Sequence, residues 1–283
     1  IWQYQKAVKP QSGALGKLSS EIILKFIAQL ALDLEKVQAI GGTEYADAIL
    51  WHQNGSIILA EVKSAPLLTY PFLFKIPTHL IKNQHQKIIL TSSQLKTCQS
   101  ALYLHNQQII PLGQVGEELW PFKPVIDFII NPNNEILISQ AVETWKSAKQ
   151  AYSNKDKSNR MYYLANACGN PPLIAKTRDL WPQNQTISDS KTSAGMDRTD
   201  DIKKAIYQAL KIGTQATNFK HIKTAIISNL PALRHGDDYV SPFIEMLWGL
   251  KKDLIQEQSF SGIRRENLRY IFDYLITLED LNL

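Results

Sequence analysis

Two apolar, β-branched runs separated by an Asn-Gly pair constrain this chain more than any other feature. The first reads Glu44-Tyr45-Ala46-Asp47-Ala48-Ile49-Leu50-Trp51 and the second Ser56-Ile57-Ile58-Leu59-Ala60-Glu61-Val62-Lys63, with His52-Gln53-Asn54-Gly55 between them. Asn-Gly between such runs is the strongest short-range hairpin signal, because the central residues of a tight hairpin turn need positive φ. The expectation is a hairpin over residues 45–63. Side chains alternate faces along a strand, so Glu61 and Lys63 point the same way, and Asp47 on the paired strand can face them. Two carboxylates and an ammonium then converge at one sheet edge. That grouping suits a divalent cation held by oxygen ligands beside a group that positions a water.

Upstream, Leu18, Ile22, Ile23, Phe26, Ile27, Leu30 and Leu34 recur at helical spacing, which predicts an amphipathic helix over 17–35 capped by Ser19 or Ser20. It carries Glu21. The order helix-Glu, strand-Asp, hairpin, strand-Glu-x-Lys resembles the PD-(D/E)XK nuclease superfamily, which includes most type II restriction endonucleases and several repair nucleases. Asp47 matches the family's first acid, with Ala46 where its Pro often stands, and Glu61-Val62-Lys63 matches its (D/E)XK. The resemblance implies a restriction-endonuclease-like α/β fold, a mixed central sheet flanked by helices. It also implies catalytic roles for Asp47, Glu61, Lys63 and Glu21. A magnesium ion, Mg²⁺, would be held by Asp47, Glu61 and the backbone carbonyl of Val62. Tyr207 and Gln208 become candidates for groups just behind the site, because many members place a Gln or Lys on the later core helix.

That helix is predicted over 200–211, where Ile202, Ala205, Ile206, Ala209 and Leu210 share a face and Asp197 or Thr199 caps the start. A buried strand is expected near 222–228. The family's core requires such a helix and strand after its Glu-x-Lys strand, and here they arrive far down the chain. The nuclease core is therefore expected over 1–64 and 196–283, with 65–195 as a large insertion after the catalytic strand. Short strands are expected there at 87–91, 108–112, 125–131 and 135–139, then a helix at 140–153. Two amphipathic helices, about 241–257 and 262–280, are expected at the end.

The chain has 283 residues, enough to bury a full core. A net charge of +5 mildly favours a polyanionic partner. Its two cysteines, Cys98 and Cys168, form no C-x-x-C pair, which argues against a zinc site and suits a reducing compartment. No apolar run approaches the ~20 residues that span a bilayer, and no signal peptide is visible, so the expectation is a cytoplasmic protein with no membrane partner. No P-loop or G-x-G-x-x-G fingerprint appears, which disfavours nucleotide-driven chemistry. His235-Gly236-Asp237-Asp238 lacks a partner His or a G-x-S-x-G nucleophile, and reads as a turn between strand and helix.

Phosphate contacts on DNA come mainly from Lys and Arg. Lys146, Lys149, Lys155, Lys157 and Arg160 form one basic cluster, interleaved with Trp145, Tyr152 and Tyr162. Lys191 and Arg198 lie in a polar loop over 188–199, Lys203 and Lys204 on the predicted core helix, and Arg264, Arg265 and Arg269 near the C-terminus. The reading is an Mg²⁺-dependent endonuclease acting on double-stranded DNA, a type II restriction enzyme. A compact chain, an insertion able to read sequence and no ATPase part favour that class. Two alternatives stand beside it: a structure-selective repair nuclease, and a non-catalytic DNA-binding protein on a nuclease fold. A palindromic target would call for a two-fold homodimer, whose surface the sequence does not identify.

Overall fold

The computed structural model describes residues 2–4, 12–41, 46–67, 72–80, 90–103, 109–163, 195–197, 199–215, 221–244, 247–249 and 268–278. Strands are β1 (Trp2–Tyr4), β2 (Leu34–Ala39), β3 (Ala48–His52), β4 (Ile57–Lys63), β5 (Phe72–Lys75), β6 (Gln99–Tyr103), β7 (Ile109–Gln114), β8 (Ile222–Ser228), β9 (Leu247–Gly249), β10 (Leu268–Tyr270) and β11 (Tyr274–Thr277). Helices are α1 (Ser12–Leu30), α2 (Ser92–Lys96), α3 (Phe122–Ile130), α4 (Glu135–Ser153), α5 (Thr199–Gln215), α6 (Gly236–Tyr239) and α7 (Ser241–Ile244). The chain divides into two compact units, one of residues 1–10 and 67–192, the other of residues 11–66 and 193–283.

The second unit is α/β, with helices on both faces of a five-stranded mixed sheet in the order β11-β8-β4-β3-β2. β2, β3 and β4 form an antiparallel meander, whereas β8 runs parallel to β4 and β11 parallel to β8. Alternation along the strands sorts the core into two layers. Ala60, Val62, Ala225 and Ile227 pack with Ile23, Leu24 and Ile27 of α1 on one face. Ile226 packs with Ile202, Ala205, Ile206 and Ala209 of α5 on the other. β8 is thus covered on both faces, and its Thr-Ala-Ile-Ile run is buried throughout, as a central parallel strand requires.

The other unit is built on an antiparallel sheet, β1-β5-β6-β7. Its first strand is β1, where Gln3 pairs with Phe74. Residues 1–10 therefore group with this unit and not, as the sequence suggests, with the sheet of β3 and β4. Phe74, Ile76 and the free thiol Cys98 form one buried cluster; Cys168 lies outside the described residues. Thr91 and Gln94 close a capping box on α2.

Several predicted elements change identity. α1 ends at Leu30, and residues 34–39 become a strand, so the predicted helix end at 35 is overturned. Of the strands expected at 125–131 and 135–139, residues 125–130 lie in α3, Asn131 caps its end, and 135–139 lie in α4. Within the described parts of the predicted C-terminal helices, 241–257 and 262–280, stand the short helix α7 and three strands, β9, β10 and β11, in place of continuous helix. Tyr274-Leu275-Ile276-Thr277 extends β8's ladder, and ladder pairing outweighs an amphipathic pattern in a short segment. The strand predicted at 108–112 is β7, whereas the one at 87–91 falls largely outside the described residues. Among the described residues no helix is long and apolar enough to cross a membrane.

Candidate active site

The hairpin between β3 and β4 turns through Gln53, Asn54 and Gly55. His52 donates its backbone N–H to Ser56 across the turn. Gly55 takes φ 81°, the left-handed conformation that glycine adopts without steric cost. Asn54 accepts from both the backbone and the hydroxyl of Ser56 through its Oδ1. The Asn-Gly pair thus stands in the turn, as the sequence predicts.

The register sets the chemistry. Ala48 stands opposite Ala60, so Asp47, just outside β3, stands beside Glu61. Asp47 donates its backbone N–H to the Ala60 carbonyl at 2.9 Å. Its side chain then does what the next strand residue would have done: Oδ2 accepts the Val62 N–H at 2.8 Å. A residue's N–H and C=O leave a strand on the same side, so the Val62 carbonyl emerges on the Asp47 side, where β3 pairing has ended. Odd-numbered residues of β4 instead bond toward β8, as Ile57 does with His221. Glu61 and Lys63, flanked by Ala60 and Val62 that face α1, point to the α5 face.

Glu61 is only 5% exposed and forms an ion pair with Lys63. Burial pushes the Glu61 carboxyl above its ordinary value of 4.5; Lys63 pulls it back, and the charge and hydrogen bond of neighbouring Asp47 add to the rise. Asp47 is thus close enough to oppose the ionisation of Glu61. A hard cation relieves that opposition. Mg²⁺ binds through one or two protein carboxylates and keeps several waters, so this donor pair fits it, with the Val62 carbonyl as a third oxygen. The set stops at two acids: among the described residues no group of three or more His, Cys, Asp or Glu side chains gathers.

Glu21 is exposed on α1, which covers the opposite face of the sheet. Its neighbour Ser20 touches the Ser64 hydroxyl at 3.2 Å, just past Lys63, so α1 meets the same end of β4. No hydrogen bond or ion pair joins Glu21 to Asp47, Glu61 or Lys63 among the described residues. Gln208 lies on α5, which packs on β4 and β8. Its Oε1 is buried without a hydrogen-bond partner, an arrangement that costs about 1–3 kcal/mol unless a water or ligand satisfies it. Tyr207, one residue earlier, is exposed.

Sequence reasoning missed the clasp that holds the end of β4. Asn229, just after β8, donates from Nδ2 to the Ala65 carbonyl at 2.8 Å and accepts the Ala65 N–H on Oδ1 at 3.3 Å. Gly195 donates to that same carbonyl at 3.1 Å. At Gly195, with φ 52°, a Cβ would stand 2.8 Å from the Leu230 carbonyl oxygen. No sequence signal marks a pairing between residues 164 positions apart.

The predicted DNA contacts scatter. Lys203 and Lys204 are exposed on α5, the first lying 5.3 Å from the Tyr239 ring centre. Lys155 and Lys157 are exposed in the turn after α4, and Arg160 opens a 3-10 turn. Of the loop over 188–199, Gly195, Met196 and Asp197 are buried, and residues 188–194, where most of the expected contact loop falls, lie outside the described residues. Lys191, Arg198, Arg264 and Arg265 lie outside the described residues. Arg269 falls in β10, not in a helix. His235 sits in the turn before α6 and meets Tyr239 edge-on. No family model, curated protein or solved structure matches this chain.

Proposed function

We propose that this protein is an Mg²⁺-dependent endonuclease of the PD-(D/E)XK type on a restriction-endonuclease-like fold, acting on double-stranded DNA as a type II restriction enzyme. One observation carries the reading: Asp47, just before β3, stands beside a buried Glu61 that is paired with Lys63 at the end of β4. The order of elements supports it. An N-terminal helix, an antiparallel meander, then a helix and a strand parallel to β4 is the order the resemblance implies.

Asp47, Glu61 and the Val62 carbonyl would hold Mg²⁺, which supplies Lewis-acid polarisation of the scissile phosphate and a more acidic water. Lys63, held beside Glu61, orients the attacking water and offsets the charge that builds on the phosphate. Gln208 offers its free Oε1 as an acceptor for an ordered water. Glu21 accepts from a water at the same end of β4.

The test is incubation of the protein with plasmid DNA of known sequence in Mg²⁺, with and without EDTA. Discrete fragments that vanish with EDTA support the restriction reading. Smearing or cutting only at junctions indicates the repair alternative, and binding without cutting the non-catalytic one. Full cutting in EDTA would overturn the mechanism. Ca²⁺ should support binding with little cleavage, since it accepts the same ligands at longer distances.

A further inference from the structure

We propose that the exposed face of α3 is a two-fold self-association surface, on which a second copy of this chain docks antiparallel about Ile126. This inference stands apart from the proposed catalytic reading. α3 reads Phe-Lys-Pro-Val-Ile-Asp-Phe-Ile-Ile, apolar nearly all round, and none of its residues is buried. One side packs toward β7. The other presents Phe122, Ile126, Ile129 and Ile130 at spacings of four, three and one, which is a single helical stripe. Phe122 is 69% exposed and Ile130 70%. Leu119 and Ile136 also expose apolar surface before and after the helix. Leu119 does so from a left-handed backbone, φ 61°, a conformation that costs a branched side chain energy. A helix apolar on every side is normally covered on every side.

Area and charge point to a second copy as the cover. The four residues of the stripe expose roughly 500 Å², more than half of the ~800 Å² that each partner contributes to a standard interface. The patch is also complementary to itself. A two-fold axis through Ile126 sets Phe122 of one copy against Ile130 of the other. It brings the flank bearing Lys123 and Asp127 against its own image. These two residues pair along the exposed helix surface at 2.5 Å. Across the axis, Lys123 and the second copy's Asp127 are offset by only two residues, about 3 Å along a helix, which a lysine spans. Two intermolecular ion pairs then line one flank of an apolar centre. DNA is a poor occupant, because the face carries one cation balanced by one anion, and DNA affinity comes from unbalanced positive charge.

The test is the mass of the full chain in solution, by sedimentation equilibrium at tens of micromolar. The expected result is twice the 32.1 kDa chain mass. Ile126→Glu and Ile126→Lys each set like charges together at the axis and should weaken association at least ~100-fold. An equimolar mixture of the two should recover the dimer, because opposite charges then meet there; recovery also shows that both variants are folded. Phe26→Glu, on the exposed apolar stripe of α1, should remain dimeric. A monomeric wild type, a dimeric Ile126→Glu, or a monomeric Phe26→Glu overturns the assignment of this face. A mixture that stays monomeric overturns the two-fold register.

Discussion

At the residue scale, Asp47 holds two jobs that substitution can separate. Its Oδ2 satisfies the Val62 N–H, a hydrogen bond to a charged group worth about 1.5–3 kcal/mol. Its charge belongs to the proposed cation site. Asp47→Ala should lose both, lowering stability in urea by about that amount and cleavage by at least ~100-fold. Asp47→Asn keeps an oxygen acceptor for Val62 and should recover most of the stability but none of the cleavage. Wild-type cutting by either variant would remove Asp47 from the site. Glu61 makes a prediction about pH. Its carboxyl is raised in the folded protein, so between 4.5 and that raised value the native state binds more protons than the unfolded one. Stability contributed by the protonated acid is full below 4.5 and is lost as pH rises through the folded value. Glu61→Gln should flatten that fall in a urea series run in EDTA; an unchanged slope would mean that another group causes it. Asp47, Glu61 and Lys63 were legible in the sequence because strand alternation is a rule of period two, which fixes their shared face once the hairpin is placed. The orphaned Oε1 of Gln208 was not, since helical spacing gives a side but not the packing that strips a group of water.

At the element scale, the hairpin, α5 and β8 were legible, and the elements around them less so. Residues 125–139 are rich in Ile, Val and Phe, which favour strands intrinsically. They form α3 and α4 because Asn131-Pro132 breaks the run and Asn131 caps the turn that follows. At the other end, Leu268–Tyr270 and Tyr274–Thr277 are too short for periodicity to distinguish helix from strand, and pairing partners decide. The end of β4 is held by contacts that no local pattern encodes, Gly195 and Asn229 on the Ala65 backbone. Gly195→Ala combines a positive φ with a Cβ placed against a carbonyl oxygen, and should cost about 1–3 kcal/mol. Because the clasp lies two residues past Lys63, cleavage should fall by more than the folded fraction alone explains. A thermal melt beside a rate measured well below the melting temperature separates the two effects. Activity that tracks only the folded fraction would show that the clasp does not position Lys63.

At the scale of the whole molecule, chemistry and basic charge are divided between the two compact units. The acids of the proposed site lie in the unit of residues 11–66 and 193–283, whereas Lys155 and Lys157 lie in the other. Those two lysines are presented by a stiff turn. Asp156 accepts from the backbone of Ser158 and Asn159 and from the Ser158 hydroxyl. These bonds, the one from the Ser158 hydroxyl foremost, hold its carboxyl below its ordinary value. Lys155 takes φ 54°, which turns the chain sharply at the end of α4. Lysines fixed in this way lose less freedom on meeting a phosphate than lysines on a loose loop. Phosphate contacts position a protein on DNA without reading it, so the expected effect is uniform across sequences. Replacing Lys155 and Lys157 together with Ala should weaken binding to the cleaved sequence and to random DNA alike. It should also flatten the dependence of log affinity on log salt by about 0.9 for each phosphate no longer neutralised. Competition binding at several salt concentrations measures both quantities. A weakening confined to the cleaved sequence would instead make these side chains base readers, worth about 1–3 kcal/mol each. An unchanged slope would return them to ordinary solvated surface and leave Lys203 and Lys204, which α5 exposes in the unit that holds the acids, as the DNA track.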